Sequence, residues 1–292
     1  MNNALIIGCG YTGMRLAALL RRSGCRVTGT ARSDGSIDAL RATGVDTIAG
    51  ALEDEGTIER MLATDADYIV YFVPPPAAGP DPLAAVLDGM LDAPPRAFVY
   101  ASATSVYGDR GGAWVDETTP TVIDGVANVA RIDAEARVIE YTERGLPARI
   151  CRISGIYGPG RTLRGPIESG RYALIEDCEP WIGRIHVDDL VEGISAACRR
   201  GRDGSVYNMV DARPHRASEF AELAATLQEL PPPPRITLAE ARARYSPAEL
   251  RRKTASKRVR CARLVDELGV ELRYPTFEQG LRAAVTEDQA RK

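Results

Sequence analysis

Histidine is nearly missing from this chain: His186 and His215 are the only two in 292 residues. The six cysteines (Cys9, Cys25, Cys151, Cys178, Cys198 and Cys261) form no C-x-x-C pair. Scattered thiols with almost no imidazole lack the spacing of a zinc or iron–sulfur site, so no metal is expected, and reduced thiols suit the cytoplasm. No apolar run approaches the roughly eighteen residues that a bilayer span requires. An apolar segment begins at Ala4, which leaves no room for a secretory leader, and none is expected. A formal net charge of only −3 gives no general attraction to nucleic acid or to an anionic membrane. The absence of an internal repeat argues against solenoids and propellers. What remains is ordinary globular composition, 45% apolar, and enough length for one large α/β domain or a main domain with a smaller one.

The most informative stretch runs from Ala4 to Leu20, ALIIGCGYTGMRLAALL. Four apolar residues form a buried strand candidate, Gly8, Gly10 and Gly13 follow in G-x-G-x-x-G spacing, and Met14 to Leu20 reads as a helix. Gly8 permits a tight turn, Gly10 lets backbone approach a pyrophosphate, and Gly13 lets the helix pack on the strand. The unpaired N–H groups of the helix start then face the phosphates, with Tyr11 and Thr12 in the same loop. A second strand, Arg26 to Ala31, ends at Arg32 and Ser33. A carboxylate near this place would hold the ribose 2′-hydroxyl of NAD; an arginine suits a 2′-phosphate, so the expected cofactor is NADP(H). The plain alternative is a solvated loop arginine.

Further strands are expected near Asp46 to Ala49, Asp67 to Val73 and Arg96 to Ala101, with helices at Glu53 to Leu62 and Pro82 to Leu91. This alternation describes a parallel sheet covered on both faces. Val73 is placed beside the cofactor. Pro74, Pro75 and Pro76 then form either a stiff rim or a turn.

ASATSVYGDRGG, from Ala101 to Gly112, is similar to a signature of the extended and atypical short-chain dehydrogenase/reductases, the NAD-dependent epimerase/dehydratase superfamily. Resemblance continues in RISGIYGPGR (Arg152 to Arg161), RIHVDDLVEGI (Arg184 to Ile194), VYNMVD (Val206 to Asp211) and the block from Ser256 to Leu281. It implies a Rossmann-type doubly wound parallel sheet with a smaller, discontinuous C-terminal substrate domain. Residues 1–160 with about 184–211 would bind the dinucleotide. Residues 161–183 and 212–292 would form the substrate side, with a small-molecule substrate in the cleft between. A monomer or homodimer is expected.

Members of that family usually transfer hydride with a Ser/Thr, Tyr, Lys trio, the last two spaced Y-x-x-x-K on one helix face. Here Ala103 holds the Ser/Thr place, Ala127 the tyrosine place and Arg131 the lysine place. Gly155 replaces an asparagine that often holds substrate, and Ala51 an aspartate near the adenine. Arginine moves no proton near neutral pH, so Arg131 either holds the nicotinamide ribose or pairs with Glu135 one turn on. The candidate catalytic groups are therefore Thr104, Tyr107 and Arg131, with Tyr107 the better acid and packing its alternative. Ser102, Ser105, Tyr157, Arg161, Arg164 and His186 are the substrate-side candidates. Arg161, Arg164 and Arg171 would meet an anionic substrate, although a solvated loop explains them equally. His186 serves either as a base or as a helix start ahead of Asp188 and Asp189. Three functions fit: a reductase or epimerase with a non-standard proton donor, a non-catalytic NADP(H) sensor, and a non-redox isomerase or lyase. Helices are also expected over residues 131–144, 218–229, 238–257 and 259–268, with a closing one ending near Val285.

Overall fold

The computed structural model describes residues 1–76 and 78–291, without the side chains of Glu55, Val126 and Ala127. Its centre is a seven-stranded sheet of β1 (Asn3–Ile7), β2 (Arg26–Ala31), β3 (Asp46–Ala49), β4 (Tyr68–Tyr71), β5 (Ala97–Ala103), β6 (Ala148–Ile153) and β7 (Val206–Met209). The spatial order is β7-β6-β5-β4-β1-β2-β3, and each pairing is parallel. Winding reverses between β1 and β4, which opens a crevice at their carboxyl ends. The helices are α1 (Tyr11–Arg22), α2 (Asp34–Ala42), α3 (Glu55–Leu62), α4 (Leu83–Asp88), α5 (Val126–Glu143), α6 (Arg164–Glu168), α7 (Val187–Arg200), α8 (Ala217–Leu227), α9 (Leu238–Arg244), α10 (Pro247–Thr254) and α11 (Phe277–Ala290).

The period of two along each strand divides the core. Ala4 and Ile6 pack with Leu16 and Leu20 of α1 and Leu190 and Ile194 of α7. Leu5 and Ile7 face the other way, towards Met61 of α3, Leu87 of α4 and Val138 of α5. Burial on both faces is why the strands read as unbroken apolar runs. A smaller core holds the C-terminal part together: Tyr157, Ile167, Phe220, Phe277, Leu281 and Val285. Two short strands, Gly155–Tyr157 and Arg184–His186, pair in parallel beyond β6 and link this core to the sheet.

Two sequence expectations fail locally. Residues 238–257 form two helices rather than one. Ser246 caps α10, its hydroxyl accepting from Glu249 N while Glu249 reaches back, and Pro247 occupies the first turn. A proline there starts a helix and cannot sit inside one. The expected helix over 259–268 begins instead as a short strand, Arg258–Val259, paired with Trp114–Val115, and only Arg263–Glu267 winds, as a π-turn. Backbone bonds from Arg258 N to Ala113 O and Arg260 N to Val115 O hold the chain extended against its local preference.

Candidate active site

The three glycines carry three different constraints. Gly8 has φ +81°, and a Cβ built on it falls 2.8 Å from Val73 Cγ2 and 3.3 Å from Val73 N. Its N–H donates to Thr30 Oγ1 at 2.9 Å, so the turn is held against β2 and β4 together. A Cβ on Gly13 would meet Ile6 Cγ2 at 3.1 Å and Cys9 Sγ at 3.2 Å, the close seating of α1 on its own strand. Gly10 differs: nothing lies within 4 Å of a Cβ there. The open space fronts a helix with no side-chain cap and no acidic residue in its first turn. Free N–H donors and the positive end of a helix dipole facing open space fit the pyrophosphate of a dinucleotide.

Around this cradle, Arg32 is exposed at the end of β2 and makes no ion pair among the described residues. Ser33 begins α2, its hydroxyl donating to Ser36 Oγ at 2.8 Å. Val73 packs on Gly8, and Thr12 is buried. Tyr11 turns towards the loop at residues 158–161: its hydroxyl donates to Pro159 O at 2.9 Å, and the Arg161 guanidinium stacks on its ring at 4.2 Å.

Beyond β5 and β6 the side chains engage one another. Arg152, in the middle of a fully buried strand, takes the Glu135 carboxylate in a fork, with Nη2 at 2.7 Å and Nε at 3.1 Å. Ser102 donates to the same carboxylate. Arg152 Nη1 donates to the Tyr107 hydroxyl at 3.1 Å, and that hydroxyl donates to Asn208 Oδ1 at 2.8 Å.

This network corrects several expectations. Tyr107 is wholly buried and its proton is committed to Asn208, which removes it as the acid. Burial also pushes its pKa up, against the pull of Arg152. Ser102 is buried and spoken for by Glu135. Thr104 is buried too, with Ser154 Oγ 3.5 Å away, and only Ser105 of this group is exposed. Because Arg152 holds Glu135, the surface pair between Arg131 and Glu135 does not form; Arg131 is half-buried and makes no ion pair among the described residues. The Ala127 side chain lies outside the described residues.

In the smaller C-terminal core, Tyr157 is fully buried, edge-on to His186 and Phe220. His186 is the cap of α7, Nδ1 accepting from Asp188 N at 3.2 Å. Its remaining proton therefore sits on Nε2, and burial pulls its pKa down to about 4. Both side chains are buried away from solvent. Arg164 is tied to Glu168 at 2.6 Å and to Gln228 O at 3.1 Å, and Arg171 is exposed, held to Ser169 Oγ at 2.9 Å. The expected loop of unengaged arginines is thus largely occupied. Sequence reasoning missed Glu135, Arg152 and Asn208 as one unit. The available signal was an arginine in an all-buried strand, which demands a buried carboxylate.

The family model described as NAD dependent epimerase/dehydratase family matches residues 4–209. Protein YeeZ of Escherichia coli K12 is 28% identical over 287 residues, covering 94% of this chain and 97% of that protein. A solved structure of a functionally unknown conserved protein from Silicibacter pomeroyi is 32% identical, superposes with a TM-score of 0.84, and covers 98% of this chain and 99% of that one. The fold also matches dTDP-glucose 4,6-dehydratase of Bacillus anthracis, solved in complex with NAD, at 19% identity and a TM-score of 0.82 over 99% and 97% of the two chains. The glycine cradle, the parallel sheet order and these likenesses agree: the chain belongs to the NAD-dependent epimerase/dehydratase family.

Proposed function

We propose that this protein binds NADP(H) in the crevice between β1 and β4 and reduces, oxidises or epimerises a small oxygenated substrate, sugar-like in class, without the family's usual proton relay. The observation that carries this reading is the open face of Gly10 before an uncapped α1, with exposed Arg32, free of ion pairs among the described residues, at the end of the neighbouring strand. Bound NADPH would supply hydride. The N–H groups of α1 hold the pyrophosphate, and Arg32 forks onto the 2′-phosphate, a charge-assisted bond contributing about 1.5–3 kcal/mol. Arg131 donates to ribose hydroxyls and moves no proton. Proton delivery then falls to Ser105, the exposed hydroxyl after β5, or to water beside it.

A second reading, an NADP(H)-binding protein without turnover, is favoured by the commitment of the Tyr107 proton to Asn208. Following NADPH oxidation, NADP+ reduction and, by chromatography, product formation across a panel of alcohols, aldehydes, ketones and nucleotide sugars separates the two. Turnover supports the enzyme, and saturable cofactor binding without turnover supports the binding protein. Failure to bind any dinucleotide sinks both.

A further inference from the structure

Arg184 sits directly opposite Gly155 where the two short strands pair beyond β6. Its guanidinium lies 3.8 Å from the centroid of Phe220, and its Nε is buried without a partner. No carboxylate lies within ion-pair distance among the described residues, although the residue as a whole keeps partial exposure. A Cβ built on Gly155 falls 3.4 Å from Nη1, and Gly155 is itself exposed. Nη1 therefore lies beside an exposed backbone position, in the space a longer side chain at 155 would take. Ser154, the residue before Gly155, contacts Thr104 just after β5, which puts this strand pair next to the carboxyl end of β5.

The surroundings do not neutralise this charge. Asp211 is the neighbouring acid, its backbone N donating to Arg184 O at 2.7 Å. Its two carboxyl oxygens are buried and unpartnered, and burial holds its pKa well above the usual carboxylate range. Glu278 has one oxygen engaged by Arg213 and the other unpartnered, and the Tyr157 hydroxyl is unpartnered too. A guanidinium stays protonated under such burial and is left lacking an anion.

Resting on the reading of the crevice as a substrate site, we propose that Arg184 recognises an anionic oxygen group of the substrate, a carboxylate or a phosphate, taken in a forked pair. The role expected of the loop arginines belongs to this strand residue instead.

The test uses the NADPH-loaded protein with inorganic phosphate and pyruvate as probes, against chloride at matched ionic strength, read by calorimetry and melting temperature. Saturable binding of either probe is expected, weakened about tenfold or more in Arg184→Gln and less in Arg184→Lys, which keeps the charge but not the fork. Gly155→Asn keeps the arginine and fills the space beside it, and should also weaken binding, so a poorly folded Arg184→Gln leaves the question decidable. Phosphate alone assigns a phosphorylated substrate, pyruvate alone a carboxylate, and both support the shared chemistry. Neither probe exceeding chloride, or Arg184→Gln and Gly155→Asn both binding as tightly as the parent, overturns the proposal. NADPH affinity of each variant is measured separately: its absence in the parent strikes the cofactor reading, and the same probe titrations of parent and variants without cofactor then decide the role of Arg184.

Discussion

The crevice beside β1 and the ledge beyond β5 and β6 lie on the same edge of one sheet, yet they are built on opposite principles. Recognition at the crevice is done by backbone: Gly8 makes the turn, Gly10 leaves space and α1 presents uncapped N–H groups. The ledge is all side chains, and they have turned inward. Ser102, Tyr107, Glu135, Arg152 and Asn208 satisfy one another out of solvent's reach. Backbone recognition tolerates drift in neighbouring side chains, whereas a proton relay is lost with one or two substitutions. Dinucleotide binding is thus robust in this architecture, and its chemistry is replaceable.

The sharpest way to break the comparison is to open the ledge. Glu135→Ala leaves Arg152 buried without its carboxylate and should cost about 3–5 kcal/mol of stability, measured by denaturant unfolding, while whatever stays folded still binds NADPH. A loss below about 1 kcal/mol would mean that the network does not hold the ledge together.

On the crevice side, Gly8→Ala forces a Cβ into Val73 at positive φ, and roughly 2–4 kcal/mol should be lost. Gly10→Ala should leave stability within about 0.5 kcal/mol and weaken NADPH alone. Equal stability losses in the two variants would remove the distinction between a structural and a ligand-facing glycine.

The two histidines sharpen it further, since both are buried in the C-terminal part and both have pKa values drawn from 6.5 down to about 4 by burial. A folded-state pKa below the unfolded value gives stability that is present above pH 6.5 and lost as the pH falls towards 4. Each histidine should cost about 2 kcal/mol between pH 7 and pH 5. The raised carboxyls of Asp189 and Asp211 act with the opposite sign. The histidine effect is therefore read as the difference between the parent and His215→Gln, whose stability should decline less steeply below pH 6.5. Parallel profiles would show that His215 does not resist protonation.

Tyr107→Phe strands the Asn208 oxygen and should cost about 1–3 kcal/mol, with no change in any turnover the parent shows. A hundredfold loss of turnover at unchanged stability would return Tyr107 to the role of acid.

The crevice was legible in sequence because its constraints are local. G-x-G-x-x-G spacing between an apolar strand and a helix specifies each glycine's task without knowledge of the rest. Strands buried on both faces announced themselves as apolar runs, and β2 matched to the residue. Contacts made across long separations stayed hidden. Whether Tyr107 meets solvent depends on Arg152 and Asn208, and whether Arg131 pairs depends on who has already taken Glu135. The bond from Arg164 to Gln228, far along the chain, stayed hidden as well, although its pairing with Glu168 one helical turn on was within reach of the sequence. The break at Ser246 was the exception: S-P-A-E is a readable capping box that an arginine-rich helical composition masked.

The central claim is that the crevice holds a phosphate-bearing dinucleotide, and direct titration tests it. Following intrinsic fluorescence, NADPH should bind the parent protein saturably and about tenfold or more tightly than NADH, and Arg32→Asp should reverse the order. Equal affinities for the two cofactors, or no saturable binding of either, would contradict the account.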